Sequence, residues 1–96
     1  MRFVVLHTPG DNWQTGVNFR EQLGIMEHVA HYGQLHAQGK LVLGGPFLVP
    51  DRGGMMVTTE DIAQEEIERW AASDPAVQSG LLKYEILPWH TPFEAE

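Results

Sequence analysis

The chain has 96 residues, 43% hydrophobic and 20% charged, a composition expected of one soluble globular domain spanning 1–96. A formal charge of −7 with only six scattered basic residues argues against nucleic acid and membrane surfaces as partners, since both reward clustered Lys and Arg. The absence of cysteine excludes disulfides, thiolate nucleophiles and cysteine-ligated metal centres, and fits a cytoplasmic protein.

Arg2 to Thr8 (RFVVLHT) is a β-branched, apolar run ended by Pro9-Gly10 and reads as a strand, its apolar stretch too short for a signal peptide. Residues 9–19, PGDNWQTGVNF, carry turn formers with isolated aromatics and form a loop long enough to act as a lid. From Phe19 to Gly39 the period becomes helical, with Gly39 suited to the residue after the helix end. Lys40 to Phe47 is a second strand, Pro50 to Gly54 a turn, and Met55 to Thr59 a third strand completing a hairpin. Glu60 to Ala72 is a second helix, with Thr58 or Thr59 available as N-cap, and Ser73-Asp74-Pro75 stops it. A short turn, 76–80, leads to the last strand, Leu81 to Trp89, and 90–96 is a tail. No segment approaches transmembrane length.

The order βαββαβ specifies an α+β, ferredoxin-like fold: a four-stranded antiparallel sheet with both helices on one face. FVVL and LVL are nearly continuous apolar runs, as in strands buried on both sides. Two helices cover only one face, and a chain this short buries only about 60–65% of its unfolded surface. A homodimer packed sheet to sheet follows as the expectation, with assembly beyond the dimer left open.

Three of the five histidines fall in HVAHYGQLH, residues 28–36. At about 100° per residue, Ile25, Val29, Tyr32, Leu35 and His36 share the inward arc, and His28 lies within about 40° of its centre. His31 lies about 100° away, on the margin. The cluster in sequence therefore disperses in space. No HExxH motif is present, and His28 with His31 at i,i+3 is a poor start for a metal site, so no metal is expected. Gly44-Gly45-Pro46 is not a phosphate loop, because no Gly-Lys-Ser/Thr and no helix follow it.

An inward His28 has two readings: a core histidine satisfied by a carbonyl, or an acid–base group held in one tautomer by a carboxylate. Asp74 is the candidate carboxylate, because preceding a proline leaves its backbone extended. The competing role for Asp74 is a plain helix stop. Asp11, Asp51 and Asp61 have weaker claims in an open loop, a hairpin turn and a helix's first turn. His7 shares strand parity with Phe3 and Val5, so it lines either a pocket or a dimer interface.

The string EHVAHYGQLHAQGK, LVLGGP, a Gly-Gly turn into MMV, Ser73-Asp74-Pro75 and GLLKYEILPW resembles the YciI-like family of dimeric α/β-barrel proteins. The resemblance implies a ferredoxin-like protomer dimerising through its sheet, and a His28–Asp74 active site. It further implies cofactor-free acid–base chemistry on small cyclic or aromatic compounds, of lyase or isomerase type. The alternative is a ligand-binding or regulatory module without turnover, and a third reading is a scaffold. Many members carry an Arg a few residues before the His, whereas Arg20 precedes His28 by eight positions. The loop thus looks like an elaboration, with Trp13 and Phe19 placed to cover an aromatic substrate and Arg20 to meet an anionic group. Tyr32 and His7 complete the expected substrate-binding set.

Overall fold

The computed structural model describes residues 1–95; Glu96, the end of the expected tail, lies outside them. Strands β1 (Arg2–Pro9), β2 (Leu41–Pro46), β3 (Gly54–Thr58) and β4 (Leu82–Trp89) form one antiparallel sheet in the order β2-β3-β1-β4. Helices α1 (Ile25–Ala37) and α2 (Gln64–Ala72) pack on one face, and a one-turn helix, α3 (Pro75–Gln78), leads into β4. This is the α+β, ferredoxin-like arrangement that the sequence order implies.

The helices begin later than periodicity suggests. Residues 19–24 do not join α1: Phe19–Glu21 is a separate 3-10 turn capped by Asn18, and Gly24, at φ 94°, breaks the path into the helix. The second helix starts at Gln64, not Glu60, because Ile62 is drawn into the core ahead of it. Neither threonine caps it. Thr58 Oγ1 instead accepts from Phe3 N–H at 2.9 Å and donates to the Thr59 carbonyl, tying β3 to β1. Within the expected stop and turn, Pro75–Gln78 closes into a helical turn with Asp74 as N-cap and proline at its start.

The core lies between helices and sheet, where Phe3 and Val5 meet Tyr32, Leu35, Ile67 and Ala71. A second cluster, Ile25, Ala76, Leu81 and Leu82 with Trp13 against it, seals the end where α1 begins. The other sheet face carries Val4, Leu6, Met55 and Val57 at its centre and Leu43, Leu87 and Trp89 toward its edges. The last three are 60%, 44% and 45% exposed, so a single chain leaves this face uncovered.

One glycine couples the hairpin to the site. Gly53 has φ 77°, and a Cβ there would stand 1.9 Å from the His7 carbonyl oxygen. Gly53→Ala combines a left-handed backbone with a backbone clash, so a loss of at least about 2 kcal/mol is expected. Urea denaturation reads it, and an unchanged midpoint would refute the close approach.

Candidate active site

The buried face of α1 is Ile25, His28, Tyr32 and Leu35. Val29 is 52% exposed and His36 is exposed as well, so the inward arc is rotated toward His31 relative to the sequence expectation. The cause is α2. His31 stacks on Trp70 with ring centroids 4.8 Å apart; its Nε2 donates to the Trp70 carbonyl at 2.6 Å, and Trp70 Nε1 donates to the His31 carbonyl at 3.1 Å. His31 thereby locks one helix to the other, while Val29 and His36 turn toward a cavity.

His28 is buried, and its Nδ1 lies 2.5 Å from Asp74 Oδ2. Asp74 is 0% exposed. Its backbone is extended (φ −58°, ψ 123°), as a residue before proline requires, which lets one oxygen cap α3 while the other turns to the histidine. Oδ1 accepts from Ala76 N–H at 2.9 Å. Burial by itself would raise the Asp74 carboxyl, but the hydrogen bond and charge of His28, with the Ala76 N–H, hold it below the usual carboxylate range. A carboxylate only accepts, so His28 Nδ1 carries the hydrogen. Nε2 has no partner among the described residues, and no buried side-chain nitrogen or oxygen is left without one, so Nε2 reaches open space.

His7, on β1, is 1% exposed and packs edge-on against His28, ring centroids 5.0 Å apart. Its Nδ1 lies 3.2 Å from the Lys83 carbonyl and its Nε2 2.9 Å from the Tyr32 hydroxyl. Burial, then the neighbouring His28, pushes His7 down to about 4, against the opposing pull of Asp74. Burial raises the Tyr32 hydroxyl far above its ordinary value, with Asp74 and Tyr84 adding to the effect.

These groups line a cavity of about 510 Å³ whose remaining wall is mostly apolar. Trp13 and Phe19 line it from the 9–24 loop, and the Gly44-Gly45-Pro46 strand end lines the opposite side. Two residues hold the loop in place. Asp51, in the β2–β3 turn, accepts from Trp13 Nε1 at 2.8 Å and from Gly16 N–H at 3.1 Å. Gln22 is buried at 3% exposure and bonds the backbone of Gln14 and Val17. Neither anchor stood out in sequence, where Asp51 reads as an ordinary turn residue. Arg20 is not brought to the cavity: it is exposed, with its guanidinium 5.5 Å from the centre of the Phe19 ring. Among the described residues no Arg, Lys, Asp or Glu lines the cavity, so the role expected of Arg20 is not filled by another permanent cation there.

Donor atoms of His7, His28 and Asp74 lie within 4.8 Å of one another, a spacing that a divalent ion can bridge. Each is already engaged by hydrogen bonding: Asp74 with His28 and Ala76, His7 with Lys83 and Tyr32. The donor set therefore suits a hydrogen-bonded cluster better than an ion, which would have to break at least one of these contacts.

Fold and site together define a class: a ferredoxin-like α+β protein with a buried His–Asp pair beside a cavity under its first helix. Residues 1–90 match the family model of the YCII-related domain, and the chain belongs to that family. No curated protein matches it in sequence. It is similar in structure to 5-chloro-2-hydroxyhydroquinone dehydrochlorinase from Burkholderia phenoliruptrix, solved in complex with 2,5-dihydroxybenzoquinone. The TM-score is 0.64 over 94% of each chain, at 19% identity, so the likeness is one of fold.

Proposed function

We propose that the protein is a cofactor-independent enzyme of lyase or isomerase type, acting on a small cyclic or aromatic metabolite. The observation that carries this reading is the buried 2.5 Å contact from His28 Nδ1 to Asp74, with Nε2 left open. His28 takes a proton from the substrate at Nε2; the electron pair released forms a new double bond and expels a leaving group or shifts along the ring. In isomerisation the same nitrogen returns the proton. Asp74 holds the tautomer and supports the positive charge that develops on the ring. The structurally similar dehydrochlorinase acts on a hydroquinone by its name, which supports small-molecule elimination as a chemistry that this fold hosts.

Substrate discovery would incubate hydroxylated and halogenated arenes with the protein and search for products by mass spectrometry. His28→Asn is expected to lower turnover by about 10²–10⁴-fold. Full turnover in that variant would end the catalytic reading, and tight binding with unchanged ligand throughout would make the protein a binding module.

The working unit in this proposal is a single-domain protomer in a cytoplasmic homodimer joined through the uncovered sheet face. Among the described residues no helix is long and apolar enough to cross a membrane. Leu87, 44% exposed on that face, tests the dimer. Analytical ultracentrifugation is expected to show a wild-type dimer and a Leu87→Glu monomer, because burying an unpaired carboxylate in an apolar interface is costly. A wild-type monomer would refute it.

A further inference from the structure

The 9–24 loop has a single hydrogen-bonded tie to the far side of the cavity. Gly10 N–H and Asn12 N–H donate to the Leu81 and Gly80 carbonyls, each at 2.9 Å, and root one end of the loop beside β4. At the other end Gln22 holds the loop to itself. Among the described residues, Asp51 is the one residue outside the loop that hydrogen-bonds the span 13–21. Its Oδ1 accepts from the Trp13 indole N–H at 2.8 Å, and both oxygens share the Gly16 N–H, at 3.1 and 3.3 Å. The β2–β3 turn that carries Asp51 is itself fixed: Phe47 N–H donates to the Gly53 carbonyl at 2.8 Å, and Gly54 pairs with His7. Trp13 lines the cavity from the loop, and Gly53 and Gly54 line it from the turn. One carboxylate therefore joins two walls.

The backbone at Asp51 points to a role for its side chain. At φ 62° it is the one non-glycine among the described residues in the left-handed region. Glycine takes that conformation without strain, whereas aspartate takes it at a cost that its side chain has to offset. The apolar cluster of Ile25, Ala76, Leu81 and Leu82 seats the Trp13 ring, but apolar packing is non-directional and does not fix where the indole edge points. Asp51 fixes it. We propose that Asp51 is a positioning residue and the latch of the cavity. By holding Trp13 Nε1 and the Gly16 N–H it keeps the loop closed against the β2–β3 turn, and its release admits molecules to His28 Nε2. The consequence for turnover rests on the cavity being the substrate site of the proposed enzyme; the latch itself is measured without a substrate.

Diethyl pyrocarbonate, which acylates unprotonated imidazole nitrogens, reports access to His28, with the exposed His90 as internal reference and peptide mass spectrometry as readout. Asp51→Gly keeps the left-handed turn and removes both acceptors. It is expected to raise the His28 rate relative to His90 about tenfold, as the loss of a hydrogen bond to a charged group allows, at an undiminished urea midpoint. Asp51→Asn tolerates the same backbone and retains Oδ1 as an acceptor, so it is expected to stay close to wild type. Trp13→Phe, which keeps an aromatic ring without the N–H, is expected to speed His28 modification as well. In nitrogen-15 spectra, Asp51→Gly should hasten solvent exchange of the Trp13 indole N–H and leave that of Trp70, bonded to the His31 carbonyl, unchanged. An unchanged His28 rate in Asp51→Gly, or the same acceleration in Asp51→Asn, overturns the proposal. So does a lowered urea midpoint in Asp51→Gly, which would make Asp51 a staple of the fold. A confirmed latch with no turnover of any compound tested would leave this inference standing and remove the catalytic one.

Discussion

Asp74→Ala is expected to cost about 3–5 kcal/mol, and Asp74→Asn to fold but lose turnover. The carboxylate is fully buried and makes two contacts of different kinds, one to His28 Nδ1 and one to the Ala76 N–H that opens α3. Losing an N-cap costs about 1 kcal/mol, and losing a hydrogen bond to a charged group about 1.5–3. Alanine also leaves the buried Ala76 N–H unpaired, which adds to the loss. A domain of this length has a total stability on the order of 5–14 kcal/mol, so the variant forfeits a large share of it. Asparagine separates structure from chemistry. Its carbonyl can keep the cap, but its amide then faces His28 as a donor and forces the ring hydrogen onto Nε2. The nitrogen facing the cavity becomes an N–H, and a general base is lost without any change of shape. Turnover is expected to fall by about 10²–10⁴-fold at near-wild-type urea midpoint. His28 still protonated on Nδ1, together with full activity, would show that Asp74 is only a helix stop.

The contrast between these variants shows why the pair was half legible in sequence. Helical period alone turns His28 inward, and the proline after Asp74 alone gives that residue an extended backbone. The distance between them depends on α1 and α3 meeting across 46 residues of chain, which no local rule reports. The element order and the shared parity of His7 with Phe3 and Val5 were legible, because they follow from period 2 and period 3.6, but which layer His7 faces was not. The rotation of α1 was not, because it is set by Trp70 stacking on His31, a contact with the other helix. That contact exposes Val29 and His36, which an isolated hydrophobic arc places inside. Residues 9–19 were legible as a loop with aromatics able to cover the pocket, whereas 20–24 read as the start of the helix. The loop's hold on the protein runs through Asp51 and the buried Gln22, two polar side chains whose partners are mostly backbone groups and leave no pattern in sequence. The same loop turns Arg20 outward over Phe19, so a motif-like Arg before the helix carries no charge into the cavity.

His7 gives the chain a stability profile that declines on mild acidification. Its folded value of about 4 lies below the ordinary 6.5, because burial and the adjacent His28 disfavour the charged ring. Above pH 6.5 the ring is neutral in both the folded and unfolded chain, and its contribution is fully present. Between 6.5 and 4 the unfolded chain binds a proton that the folded chain refuses, so stability falls as the pH falls, by up to about 1.4 kcal/mol per unit. Below about 4 the folded ring also protonates and the slope from this group ends. The total is about 3 kcal/mol, spread over that window. Asp74 acts in a lower one: its carboxyl is held below the ordinary carboxylate value of 3.8, so its contribution is retained down to that pH and lost beneath it. Urea midpoints measured from pH 7.5 to 4.5 should therefore decline in the wild type. In His7→Gln the decline should shrink by the greater part of that amount, since glutamine bonds both Tyr32 and Lys83 without titrating. An identical decline in the variant would mean that the proton is taken up elsewhere.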